Sequence, residues 1–326
     1  VNRPPTSSHC RGFTMIELLV ALVLGLVVLG GVGAVMNNSK KNYEVQDYRS
    51  RMQENARFAM QFITNDLRMA GYTGYLACGS IPSSSWQYIW GGTSASDGDA
   101  ITVQYVSLDY LAITLPALAL DVSSGKTIEL NDVSSFATDD YVIITDCINA
   151  EVRHIKEVKS GNRLEFYNNL SNPYTIASQT QVRRLERRSY QIFFNTTRSV
   201  PVLTRTDAQG NNQELVEGIE FLRFLFAEDS TGDGFPNSYV APHTPSNPVK
   251  GVKLAILTRS ISNYDPGASA AGGNNEGGQF GTSADVDTGT YTLLDQTVDP
   301  ATLTVTNSST LRVKRQVYET AIKIRN

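Results

Sequence analysis

The chain has 326 residues and a formal net charge of −4, enough for an anchor plus one large or two modest domains, and the acidic balance argues against direct nucleic-acid binding unless a local patch overrides it. Three histidines and three cysteines with no CxxC pair exclude a zinc cluster. No G-x-S-x-G, Walker A, H-E-x-x-H or dinucleotide fingerprint occurs, so the sequence gives no reason to expect an enzyme.

Phe13 to Met36 is apolar apart from Glu17, and Leu18 to Val35 holds no charge. As a helix this stretch reaches about 36 Å, enough to cross the hydrocarbon of a bilayer. Arg3 and Arg11 precede it while Lys40 and Lys41 follow, so charge bias is ambiguous, although a short basic leader kept on the cytoplasmic side is the natural choice. A secretory signal is cut after its apolar segment, whereas composition here changes sharply only before it, at Gly12/Phe13. A carboxylate in lipid is costly without a partner, so Glu17 points to a role beyond anchoring; the plainer alternative is a side chain that snorkels to the interface. The face through 25, 29 and 33 reads Gly, Leu, Gly, a poor small-residue stripe, so Gly25, Gly30, Gly31 and Gly33 predict bending or melting during assembly.

The segment GFTMIELLVALVLG resembles the type IV prepilin signature, in which the leader ends in Gly and the mature chain opens with Phe and carries Glu at its fifth position. Here those residues are Gly12, Phe13 and Glu17. The resemblance implies removal of residues 1–12 by the prepilin peptidase and N-methylation of Phe13. The freed ammonium of Phe13 on one subunit could then neutralise Glu17 of a neighbour. In that arrangement the charge pair sets axial register while apolar burial supplies most of the holding energy.

From Asn37 to Ala70 apolar residues recur at spacings of three and four, and Gly71 supplies a stop. One helix over 14–70 would be about 85 Å long, its rear half forming the spine for a sheet. Residues 53–75, QENARFAMQFITNDLRMAGYTGY, resemble the PilW minor pilins, which carry a QENxRFAxxxLxxDLRxAGY stretch with a cysteine soon after, here Cys78. ITDCINAEVRHI (144–155), VKLAILTRS (252–260) and RQVYETAIKIRN (315–326) resemble the same family. With Cys10 in the leader, Cys78 and Cys147 remain, and in an oxidising compartment they would form one bridge closing a loop of 70 residues. The alternative is two buried free thiols.

Beyond a loop containing Trp86, Tyr88 and Trp90, alternating patterns predict strands at 100–107, 111–116, 127–132, 140–145, 150–158 and 163–168. A second group is expected at 182–195, 216–229, 252–260 and 310–324, with a short hairpin after Thr288. Arg183, Arg184, Arg187 and Arg188 form the one candidate basic patch, better read as a solvated strand face. His154 reads as a sheet residue. In DSTGDG, Asp229, Thr231 and Asp233 match the first half of a calcium loop, but Val240 replaces the acid expected at the twelfth position; a tight Asp/Gly turn explains the same residues. No other cofactor is expected.

The predicted fold class is α+β and type IV pilin-like: a long N-terminal helix, its first half transmembrane, packed on a mostly antiparallel sheet with an additional β-rich subdomain. The predicted division is a leader (1–12), a membrane or filament-core helix (13–36), an amphipathic half-helix (37–70), a loop and β-rich subdomain (71–181), and a sheet domain (182–326) with a Gly-rich loop at 265–290. The resemblance implies a minor pilin in an initiating or tip complex, because 314 residues after the leader are bulky for a repeating shaft subunit. It also implies support of pilus biogenesis, twitching motility and DNA uptake. Expected partners are other minor pilins, the major pilin, the prepilin peptidase and the inner-membrane assembly platform. The location implied is a single-pass inner-membrane protein with a periplasmic head, later at the pilus tip. Two rival readings are a minor pseudopilin of type II secretion and a tip adhesin that binds through Trp86, Trp90 and the 265–290 loop.

Overall fold

The computed structural model describes residues 14–72, 87–94, 98–106, 117–146, 149–172, 174, 180–261, 290–299, 302–303 and 315–324. The chain divides into two compact units, Val1–Ser50 and Arg51–Asn326. Helix α1, Met15–Met69, supplies all the described structure of the first unit and the opening element of the second.

In the first unit the helix runs unbroken through Gly25, Gly30, Gly31 and Gly33, and a Cβ added at any of the four would meet nothing within 4 Å. Every side chain from Thr14 to Lys40 is exposed, including the whole Leu/Val/Met series. That is the pattern of a helix whose apolar surface belongs against something outside its own chain, and the window is long and apolar enough to cross a membrane.

The second unit begins with the rear of α1, where Met52, Ala56, Ala59, Ile63 and Leu67 are buried at spacings of four and three. Beyond it lie β1 (Ile89–Gly92), β2 (Ala100–Val106), β3 (Ala117–Ser124), β4 (Thr127–Leu130), β5 (Tyr141–Thr145), β6 (Ala150–Lys159), β7 (Arg163–Phe166) and β8 (Gln181–Asn195). These are followed by β9 (Val200–Thr206), β10 (Asn212–Glu217), β11 (Ile219–Glu228), β12 (Ser238–Val240) and β13 (Val249–Arg259), then β14 (Tyr291–Leu293), β15 (Gln296–Val298) and β16 (Arg315–Lys323). Every pairing among them is antiparallel.

Strands β8, β3, β4, β7, β6 and β5 close on themselves, because β8 pairs with β3 along one edge and with β5 along the other. This ring has its own interior of Ile128, Leu130, Val142, Ile144, Ile155, Leu164, Phe166 and Val182. Closure covers both faces of β5: Val142 and Ile144 point into the ring while Ile143, between them, belongs to the main core. The upper part of β8 continues past the ring to pair with β2 and β9, so the expected grouping of 182–195 with the later strands is corrected. A separate four-stranded sheet runs β12-β11-β13-β16, and β14 and β15 form the expected hairpin.

The main core brings Ala59, Ile63 and Leu67 of α1 together with Ile101, Val103 and Tyr190 of the larger sheet and Phe221, Phe224, Leu254 and Ile256 of the smaller one. Tyr105 and Tyr190 donate their hydroxyls to Asp66 at 2.8 and 2.5 Å, tying the helix to β2 and β8. Burial, reinforced by the Asp66 carboxylate, raises both phenol pKa values, so both stay protonated donors. Gly218 makes the step from β10 to β11 with φ +78°, and a Cβ there would lie 2.8 Å from the Arg259 carbonyl.

Candidate functional sites

The start of α1 is closed by a reciprocal pair. The amide of Glu17 donates to Thr14 Oγ1 at 3.3 Å, while the Thr14 amide and hydroxyl both donate to Glu17 Oε2 at 3.0 Å. This is a capping box, T-x-x-E, which satisfies two amides that the first helical turn leaves without partners. The partner expected for Glu17 was a neighbour's Phe13 ammonium; the T-x-x-E spacing is the local signal that a first partner lies in its own chain. Oε1 takes no hydrogen bond among the described residues and remains exposed to a neighbour.

At the turn after β11, Asp229 accepts the amides of Gly232 at 2.7 Å and Gly234 at 2.8 Å, one on each oxygen, with Lys250 Nζ at 4.0 Å. Burial raises the Asp229 pKa, but these amides and Lys250 outweigh it and hold the carboxyl below its ordinary value. Asp233 caps the Phe235 amide at 2.9 Å, and Asn237 Oδ1 receives the amides of Ser230 and Thr231. The carboxylate oxygens of Asp229 therefore serve the backbone of the turn, and no three His, Cys, Asp or Glu side chains converge into a metal site among the described residues.

The arginine run on β8 is divided by the pleat. Arg184 and Arg188 flank Glu186 at 3.5 and 2.9 Å, whereas Arg187 points to the opposite face. There it meets a set of side chains that strand register brings together. Gln104 lies opposite Arg187 on β2, and His154 of β6 lies opposite Tyr141 of β5. The Arg187 guanidinium carbon sits 3.5 Å from the Tyr141 ring centre and 5.1 Å from that of Trp90. Tyr141 stacks on His154 at 4.4 Å with an interplanar angle of 1°, and His154 meets Tyr167 at 4.7 Å. The column borders an open cleft of about 630 Å³.

Two families of sequence match this chain. The model described as type IV pilus-assembly protein W covers residues 173–326, and that described as the prokaryotic N-terminal methylation motif covers residues 7–33. The C-terminal part of the chain thus resembles the PilW family, and its N-terminal part carries the prokaryotic methylation motif. The pilin-like protein PilA3 of Thermus thermophilus is 44% identical over 62 residues, 19% of this chain, and the match spans about a quarter (26%) of that relative's length. A solved type IV-like pilin of Thermus thermophilus overlays 84% of this chain and 97% of its own at 10% identity, with a TM-score of 0.34. The match over residues 173–326 links this part of the chain to type IV pilus assembly. Its methylation motif and apolar helix mark it for membrane anchoring and incorporation into a pilus.

In this chain the expected processing residues Gly12 and Phe13, the cysteines Cys78 and Cys147, Trp86, the strand at 111–116 and residues 265–289 lie outside the described residues. Glu17, Asp229, Thr231 and Asp233 lie inside them, Glu17 in the first unit and the other three in the second. The Arg187 cleft went unnoticed in the sequence because its walls come from strands more than 80 residues apart, and only the abundance of aromatics and arginines hinted at it.

Proposed function

We propose that this chain is a minor pilin of an initiating or tip complex, held in the inner membrane with its head in the periplasm until assembly, where it primes extension of the major pilin. The observation that carries this reading is the first unit itself, an exposed apolar helix that opens on a single acid. Cleavage between Gly12 and Phe13 leaves the new amino terminus one residue before Thr14, the cap of the helix. Glu17 Oε2 is engaged by Thr14, so Oε1 is the atom that receives a neighbour's methylated ammonium and fixes axial register. Its partners on this reading are other minor pilins and the major pilin, with the prepilin peptidase and the inner-membrane platform acting before assembly. The head acts as a structural body without a catalytic step, and a Cys78–Cys147 bridge would stiffen it in an oxidising periplasm. Twitching motility and DNA uptake depend on it through the filament, without direct contact with nucleic acid.

The test is a strain lacking the native protein and complemented with Glu17→Val, scored for membrane insertion, surface pili and secreted proteins. Normal insertion with a sharp loss of pili is expected. Normal piliation would refute the role of Glu17, and a secretion defect with intact pili would assign the chain to type II secretion instead. Mass spectrometry of the native protein should find N-methylated Phe13 as the first residue; retention of residues 1–12 would overturn the processing scheme.

A further inference from the structure

The cleft beside β2, β5, β6 and β8 contains a cation that the fold has not neutralised. Arg187 is half-buried, its Nε is out of contact with water and has no hydrogen-bond acceptor, and its guanidinium has neutral side-chain partners, Gln104 Oε1 at 3.3 Å and Tyr141. Among the described residues no carboxylate pairs with it. The other arginine of the cleft is fully employed: Arg153 is bound to Glu151, the Asn169 carbonyl at 3.1 Å and Ser171 Oγ at 2.7 Å. An unpaired, partly desolvated charge is costly, and burial accordingly lowers the Arg187 pKa. The molecule nevertheless holds this side chain rigidly, between Trp90 and Tyr141, in the wall of an open cavity.

The surrounding groups are just as firmly set. The Tyr88 hydroxyl donates to the Val249 carbonyl at 3.2 Å and accepts the Val249 amide at 2.9 Å, and Gln104 Nε2 donates to the Gln87 carbonyl at 3.0 Å. Those bonds fix the segment that presents Gln87 and Trp90. The Gly91 amide donates to the His243 carbonyl at 3.1 Å, which holds Thr244 at the rim. Rigid walls of this kind reduce the ordering cost of binding.

The chemistry of the walls selects among anions. Tyr141 is covered on its faces by Arg187 and His154, and His154 by Tyr141 and Tyr167, so the middle of the column offers no free ring face between which a nucleobase could slide. What remains in the lining is the Arg187 guanidinium, the Glu151 carboxylate already paired with Arg153, the side chains of Gln87, Asn168 and Thr244, with Gln87 Nε2 given to the Ile89 carbonyl, and the rings of Trp90 and Tyr167. A guanidinium matches a carboxylate bidentately, while amides and hydroxyls at the rim match a ring of hydroxyl groups. The volume, about 630 Å³, is that of a small-ligand site and holds one or two sugar rings.

We infer that this cleft is a binding site for an acidic saccharide, with the sugar carboxylate on Arg187 and its hydroxyls on Gln87, Asn168 and Thr244. The site is independent of whether the subunit sits at a tip or within a shaft, because it is built wholly inside the second unit.

The full chain in detergent is titrated with glucuronate, galacturonate and N-acetylneuraminate, with glucose and inorganic phosphate as controls, and followed by ligand-observed NMR and by tryptophan fluorescence. Saturable binding of at least one acidic sugar is expected, weakened about tenfold or more in Arg187→Gln, with glucose bound about tenfold more weakly than its uronate. Asn168→Ala should weaken binding of the same sugar while leaving the melting temperature unchanged, which separates loss of a contact from loss of fold. The inference is overturned if none of the three sugars binds at about 10 mM, if glucose binds as well as glucuronate, if phosphate alone competes for the site, or if folded Arg187→Gln binds like wild type. None of these outcomes bears on piliation by the Glu17 variant, so the two readings fail separately.

Discussion

Replacing Glu220 with alanine tests how the smaller sheet tolerates charge. Arg259 and Arg315 are register partners on β13 and β16, so two like charges stand directly opposite each other inside the domain. Such a pair is destabilising unless something lies between them. The register of β11 on β13 skips at Glu220, and that carboxylate, fully buried, accepts from Arg315 at 2.5 and 3.1 Å and approaches Arg259 at 3.7 Å. Arg259 has one further acceptor, the Ser199 carbonyl at 3.0 Å, while its Nε and Nη1 have none. Removing Glu220 therefore deletes two charge-assisted hydrogen bonds and leaves the buried Arg259 guanidinium facing Arg315 without a carboxylate between them. Breaking a buried ion pair in this way costs about 3–5 kcal/mol, a large share of the ~5–15 kcal/mol that holds a domain together. The melting temperature should fall by on the order of 10 °C. Urea denaturation of the full chain at neutral pH, followed by tryptophan fluorescence, measures the change. Joint replacement by Glu220→Leu, Arg259→Met and Arg315→Met should recover most of the loss, because it removes the stranded charge along with its partner. A cost below about 1 kcal/mol for Glu220→Ala would mean that the two arginines do not need the carboxylate between them.

Burial raises the Asp99 pKa to about 6, against the pull of the Phe224 amide and Arg223, while Arg223 holds Asp295 low. A raised carboxyl stabilises the fold fully below its unfolded pKa, near 3.8, and loses that contribution as pH rises through its folded value. The stability of wild type relative to Asp99→Asn should therefore decline from about pH 4 to about pH 6 and then level off, and a flat difference would refute the shift. Gly218→Ala should cost at least about 2 kcal/mol by urea denaturation, since it combines a left-handed φ with a Cβ 2.8 Å from a carbonyl; a cost under about 0.5 kcal/mol would contradict that geometry. Asp229→Ala should lower the melting temperature by freeing the Gly232 and Gly234 amides, and millimolar calcium chloride should leave wild type unmoved. A calcium-dependent rise seen only in wild type would mean that the cation displaces those amides.

The elements that could be read locally were read well. The long helix, its change from a uniformly apolar front to a one-sided rear, and strands such as β5, β6, β7 and β13 follow from periodicity over a few residues. Strand β9 escaped because Pro201 near its start reads as a breaker, yet there its carbonyl is what the fold uses, accepting the Gly218 amide at 2.8 Å. Closure of the ring was invisible for another reason. It depends on Gln181 and Val182 pairing on both edges, with Leu118 and Ala117 on one side and Thr145 and Ile144 on the other, and no local pattern encodes such distant partners. The arginine run at 183–188, expected as one solvated strand face, is corrected: the period-two pleat puts Arg187 and Arg188 on opposite faces, and Arg187 is half-buried.

Because one fifteen-residue strand is both a stave of the closed ring and a member of the open sheet beyond it, the ring cannot be treated as a detachable cassette. Excising residues 107–180 would strip both flanks of Gln181 and Val182 and the β5 flank of Arg183 and Arg184, exposing bare amides and carbonyls in the middle of the head, the sort of surface on which foreign strands nucleate. Any sequence that grows or shrinks this region must do so in the connections between the staves. Insertions tolerated by relatives of this protein should therefore cluster in those connections, and the shared strand should keep its length.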